Sequence, residues 1–149
     1  MSDIVIIPTD GSEYADNAAD VGFDLARKSG ATVHALSVGD TSMTHRSSIG
    51  AGPGKTSEEV TEIAAEWAEE LAEAARSAGL DAEAVVKTGI PAEEIADYAA
   101  ETDASMVVMG TAGRSGFERR IVGSTTDKVV STAPVPVVTV RPDGAVDAA

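Results

Sequence analysis

The chain has 149 residues, no cysteine, two histidines, and 25 acidic residues against 11 basic ones, for a formal charge of −14. That length suits one domain around one core, the missing thiols exclude disulfides, thiolate metal sites and thiol catalysis, and the charge argues against nucleic acid or a membrane surface as a partner. The apolar run Ile4-Val5-Ile6-Ile7 has no basic stretch before it and is far too short for a signal peptide or a membrane span, so a soluble cytoplasmic protein is expected.

Short β-rich runs alternate with longer stretches of helical period, which predicts an α/β domain on a parallel sheet. Asp3 to Ile7 reads as the first strand, and its unbroken apolar run implies cover on both faces. Ser12 caps a helix of roughly sixteen residues that ends near Ser29-Gly30. Ala31 to Val38 is the second strand. The segment 39–55 has no period and little apolar content; long loops of this kind in compact domains are functional or mobile, and a mobile loop is expected here. A capping box at Thr56-Ser57-Glu58-Glu59 opens the second helix. In it Val60, Ile63, Ala64, Trp67, Leu71, Ala74 and Ala78 recur at helical spacing, until Gly79 stops it. Trp67 on this stripe reads as core.

Asp81 to Lys87 is the third strand, and Pro91 with Glu93 and Glu94 behind it starts the third helix. Ala104 to Met109 is the fourth strand, Ser124 to Thr132 the fourth helix, and Val135 to Val140 the fifth strand. Pro134 and Pro136 suit a strand's start or its edge, which puts this last strand at the border of the sheet. Residues 1–142 make up the domain, and 143–149 read as a flexible tail.

Acidic residues dot the helices instead of forming one block, for example Asp16, Asp20, Asp24, Glu58, Glu62, Glu66 and Glu73. Two readings fit: adaptation to a high-salt cytoplasm, where a Debye length of about 3 Å at 1 M screens self-repulsion, and an ordinary acidic protein of bacterial type.

The chemistry concentrates after the fourth strand. Gly110 and Gly113, followed by Gly123-Ser124, have the spacing G-x2-G-x9-G-S, which sets flexible backbone and hydroxyls between a strand end and a helix start. Glycines there let a phosphate approach the backbone, and Gly123, Ser124 and Thr125 present amides at the positive end of the fourth helix. The hydroxyls of Ser124 and Thr125 add donors or a water-mediated metal contact. In a sheet of this class, ligands collect where the strand order reverses, beside the loop Pro8-Thr9-Asp10-Gly11-Ser12. From there Asp10 could reach a sugar hydroxyl or a metal ion. Arg114, Arg119 and Arg120 can screen phosphate charge or simply face solvent.

These stretches, with Ser37-Val38-Gly39-Asp40 and Ala133-Pro134-Val135-Pro136-Val137, resemble the universal stress protein family in its nucleotide-binding branch, over nearly the whole length. The resemblance implies a single-domain, Rossmann-like open sheet of five parallel strands in the order 3-2-1-4-5, helices on both faces, of the adenine nucleotide alpha hydrolase-like kind. It implies a homodimer made in part through Val135–Val140, and ATP or another adenine nucleotide bound with Mg2+ or Mn2+. Pro8, Asp10 and Val38 would line the base and ribose, Met109 and Gly110 would lie along the nucleoside, and Gly113, Gly123, Ser124 and Thr125 would take the phosphates. Arg114 is the candidate for screening their charge, and Asp10 and Ser124 are the candidate metal contacts. No dedicated general base or water-positioning residue is evident, so weak or no hydrolysis is expected of a regulatory, stress-response protein. Two other readings are a slow Mg-dependent ATP hydrolase or nucleotidyl-transfer enzyme, and a nucleotide-free dimeric interaction module.

Other features read as structural. Gly50 to Thr56 imitates a P-loop but has Ile49 where the first glycine is needed. His34 reads as a packed or partly exposed strand residue and His45 as a solvated one; with two separated histidines, neither a metal cluster nor a triad is expected.

Overall fold

A computed structural model describes residues 3–41, 56–111, 123–142 and 146–148. The expected alternation is present: β1 (Ile4–Pro8), α1 (Glu13–Ser29), β2 (Thr32–Asp40), α2 (Ser57–Ser77), β3 (Ala82–Gly89), α3 (Pro91–Thr102), β4 (Met106–Gly110), α4 (Ser124–Thr132), β5 (Val137–Val140) and a short β6 (Val146–Ala148). The first five strands form a parallel sheet in the order 3-2-1-4-5.

Local signals set the helix ends. Ser12 accepts a hydrogen bond from the Ala15 amide at the start of α1, and Gly30 ends that helix in the left-handed region at φ 70°. Thr56 and Glu59 exchange both bonds of a capping box. Pro91 occupies the first turn of α3.

Because successive strand residues point to opposite faces, the sheet carries two apolar layers. Val5 and Ile7, with Val33, Ala35, Val108 and Val140, pack under α1 and α2; Ile6, with Leu36, Val107, Met109 and Val137, packs under α3 and α4. The α1 and α2 surfaces facing the sheet are mostly alanine, including Ala18, Ala19, Ala26, Ala64, Ala68, Ala72 and Ala75, all buried. Small residues bring these helices close to the strands. At Gly22 a Cβ would lie 2.5 Å from Ile7 Cδ1, so α1 sits directly on β1.

Three sequence expectations need correction. β2 runs on through Asp40, so Gly39 and Asp40 belong to a strand and not to the loop; eight consecutive pairs with β3, from Val33↔Ala82 to Asp40↔Gly89, hold them there. β5 begins at Val137, after both prolines, and is not the border of the sheet. Residues 146–148, read as part of the tail, add antiparallel to its outer edge through Val138↔Ala148, Thr139↔Asp147 and Val140↔Val146. A strand edge offers unpaired N–H and C=O groups, and the nearest extended segment of the same chain takes them here. Residues 42–55, with His45 and the P-loop imitation, lie outside the described residues.

Candidate functional site

The chain leaves β1 toward β2 on one side, and returns through α3 to β4 on the other. The strand order reverses between β1 and β4, which are paired through Val5↔Met106 and Ile6↔Val107. Continuing that register brings Pro8 level with Met109, and the crevice beyond these carboxyl ends is where this architecture binds ligands.

The β1–α1 loop forms one wall. The Thr9 amide donates to the Leu36 carbonyl at 2.9 Å and the Ser37 hydroxyl donates to the Thr9 carbonyl at 2.9 Å, so the middle of β2 holds the start of the loop. Within the loop the Gly11 amide donates to Thr9 Oγ1 at 3.1 Å and the Ser12 amide to Asp10 Oδ1 at 3.0 Å. These turn-forming bonds fix one carboxylate oxygen of Asp10. Val38, half-buried, ends the same wall two residues beyond Leu36.

The opposite wall is β4 and the start of α4. Met109 is buried with Ile6 and Leu36, and Gly110 is buried beside it. The Thr111 amide donates to the Val140 carbonyl at 3.0 Å, and the Gly123 amide donates to the Thr111 carbonyl at 2.6 Å. Gly123 thereby sits against the end of β4 although eleven residues lie between it and Thr111 in the chain. It is the N-cap of α4, and has no side chain with which to cap the helix as Ser12 and Thr56 cap α1 and α2, so no N-cap side chain covers the amides there. Ser124 is exposed and Thr125 half-buried on the first turn. Of the sequence-predicted site residues, Gly113 and Arg114 lie outside the described residues, as do Arg119 and Arg120. Pro8, Asp10 and Val38 are brought to one wall, and Met109, Gly110, Gly123, Ser124 and Thr125 to the other.

Sequence reasoning missed Thr126. Its buried hydroxyl donates to the Gly110 carbonyl at 2.7 Å and ties the first turn of α4 to the last residue of β4. A threonine one turn into a helix has no sequence signature that distinguishes this bond from solvation. Thr126→Val keeps the shape and removes the donor, and should lower stability by about 1–3 kcal/mol; a urea midpoint indistinguishable from that of the wild type would contradict this role.

The other polar clusters lie away from the crevice. His34 is buried, with Nδ1 2.7 Å from the Tyr98 hydroxyl and Nε2 3.4 Å from Glu83. Burial first, then the charges of Glu83 and Glu101, hold the Tyr98 hydroxyl above its usual pKa and so protonated. On the outer face of α2, Glu66, Glu69, Glu70 and Glu73 line a shallow depression whose charge repels phosphate. Among the described residues, no three histidines or carboxylates gather into a metal-binding group.

A sequence model of the universal stress protein family matches residues 1–141. The chain belongs to the universal stress protein family. It is 31% identical to a universal stress protein of Methanocaldococcus jannaschii over 141 residues, covering 92% of this chain and 81% of the relative. Its fold is similar to that of the universal stress protein UspA from Lactobacillus plantarum, with a TM-score of 0.71 at 27% identity over 93% of this chain and 97% of the other. The fold is also similar to that of two universal stress proteins, each 23% identical: one in complex with cAMP (TM-score 0.68, covering 94% of this chain and 97% of the other), and one from Archaeoglobus fulgidus in complex with dAMP (0.66, 93% and 97%).

Proposed function

We propose that this universal stress protein is a cytoplasmic regulatory protein that binds ATP, or another adenine nucleotide, with Mg2+ or Mn2+, and hydrolyses it slowly or not at all. The observation that carries the reading is the side-chain-free start of α4 at Gly123, bonded to the end of β4 and set across the switch point from the Asp10 loop. An amide-rich helix start beside glycine backbone suits phosphates, while Pro8, Asp10 and Val38 suit a nucleoside, with Asp10 directed at ribose or metal. The universal stress proteins solved with cAMP and dAMP support an adenine nucleotide as the class of ligand. Asp10 and Ser124 offer hard oxygen donors, which fit Mg2+ or Mn2+ brought in with the phosphates. No described helix is long and apolar enough to cross a membrane.

Mass spectrometry of small molecules released from freshly purified protein tests the reading, with an adenine nucleotide in near-stoichiometric amount as the expected result. If none is released and none binds by calorimetry, the nucleotide-free interaction module replaces it. Single-turnover hydrolysis well above the metal-only background, abolished in Asp10→Ala, would make the protein an enzyme instead.

Homodimerisation through Val135–Val140 belongs to the same proposal, and it uses the edge that β6 takes within one chain. Only three residue pairs have to be exchanged. A chain ending at Pro142 should therefore dimerise at lower concentration than the full chain by light scattering; weaker association of the shortened chain would move the interface elsewhere.

A further inference from the structure

The chain has one tryptophan, and it does not end in the core as its place on the apolar stripe of α2 suggested. The stripe's buried members are small or aliphatic, Val60, Ala64, Ala68, Leu71, Ala72 and Ala75. Trp67 is half-buried, and its indole lies against Gly11 of the β1–α1 loop. A Cβ on Gly11 would be 2.7 Å from Trp67 Cδ1 and nearer still to Nε1 and Cε2, so the ring fills the space of any side chain there. Gly11 also has φ +77°, a left-handed conformation that costs other residues energy. Glycine at this position thus serves two ends: it makes the turn and it admits the indole.

We propose that Trp67 is a positioning residue for the nucleoside half of the site, its indole holding the Thr9–Ser12 loop in the shape that presents Asp10. The inference rests on the nucleotide reading above. Hydrogen bonds pin the loop through Thr9 and Ser12 and through the Gly11 amide on Thr9 Oγ1; at its tip, the indole packs on the other side of the Gly11 backbone, where a Cβ would stand. The helix that carries the ring is itself anchored to the neighbouring strands. A Cβ on Gly39 would meet the backbone of Thr61 at 3.1 Å, and Thr61 Oγ1 lies 2.9 Å from Thr88 Oγ1. One rigid helix thereby braces the end of β2, the end of β3 and the Asp10 loop, so Val38 and Asp10 keep their relative position. Preorganisation of this kind raises affinity without a direct contact to ligand.

The test is a double-mutant cycle on the full chain with ATP and Mg2+, read by calorimetry. Trp67→Ala is expected to weaken ATP binding about tenfold, Trp67→Phe to recover most of the loss, and Trp67→Ala to cost less than about twofold when Asp10 is already Asn. Equal losses in both backgrounds would mean a general structural effect and would overturn the proposal, as would unchanged affinity in Trp67→Ala. Should Trp67→Ala not fold, the indole emission of the wild type decides: it is expected to change along the calorimetric binding curve, and constant emission during saturable ATP binding overturns the inference while leaving the nucleotide reading in place. A wild type that binds no ATP removes that reading first, and the inference with it.

Discussion

Gly123→Val is expected to abolish ATP binding while the protein keeps its fold. Gly123 has φ −61° and ψ 154°, an extended conformation that valine adopts without strain. The substitution therefore does not act through backbone conformation. It keeps the amide that donates to the Thr111 carbonyl and the carbonyl that accepts from Asp127, both backbone groups. The added isopropyl group stands at the start of α4, where phosphates would approach the amides. Loss of the complex should exceed a hundredfold in Kd, about 2.7 kcal/mol. Circular dichroism of a folded α/β protein would accompany it, with the urea midpoint lowered only by the overpacking of a buried position, about 1–3 kcal/mol. Undiminished ATP affinity by calorimetry would remove the helix start from the site.

Leu36→Ala should lower stability by about 2–5 kcal/mol, a large share of the 5–15 kcal/mol typical of a domain. Leu36 is fully buried in the layer under α3 and α4, in the second strand of the sheet and paired in register with Pro8 and Val85. Its truncation leaves a cavity between β2 and α3 that close-packed neighbours fill only in part. Its carbonyl accepts from the Thr9 amide, so the same change loosens the root of the Asp10 loop, and ATP affinity should fall together with stability. Chemical denaturation checks the first effect and calorimetry the second. A loss below 1 kcal/mol would mean that the layer repacks around alanine and that the loop does not depend on it.

Much of the fold is legible because its signals are local. Ser12, Gly30, Thr56 with Glu59, and Pro91 each act within one turn of chain, and the helix boundaries follow them closely. The parallel sheet is legible from the alternation of apolar runs with helical stretches, since both faces of each central strand need cover. Pro8, Asp10, Gly110 and Gly123 are legible as a group because the strand ends that carry them converge wherever this topology forms, and Val38 joins them through the family resemblance.

Other features were hidden for a physical reason. The length of β2 depends on β3, whose residues through Gly89 keep Gly39 and Asp40 in the ladder. Residues 146–148 become a strand only because β5 has an edge to offer. Thr126 looks like any polar residue of a short helix until the Gly110 carbonyl is placed above it. Trp67 fits an apolar stripe, and nothing in its spacing says that its ring reaches Gly11.

The amino-acid sequence by itself determined the kinds and order of the main elements and the helix ends, because propensity, capping and apolar period act over a few residues, and the family resemblance added the residues expected at the switch point. Only the tertiary structure decided which side chains brace that meeting: the Thr126 tie, the Trp67 indole on Gly11, and the β6 cover on β5. Each of these is a contact between segments distant in the chain, and its geometry exists only once the layers have packed.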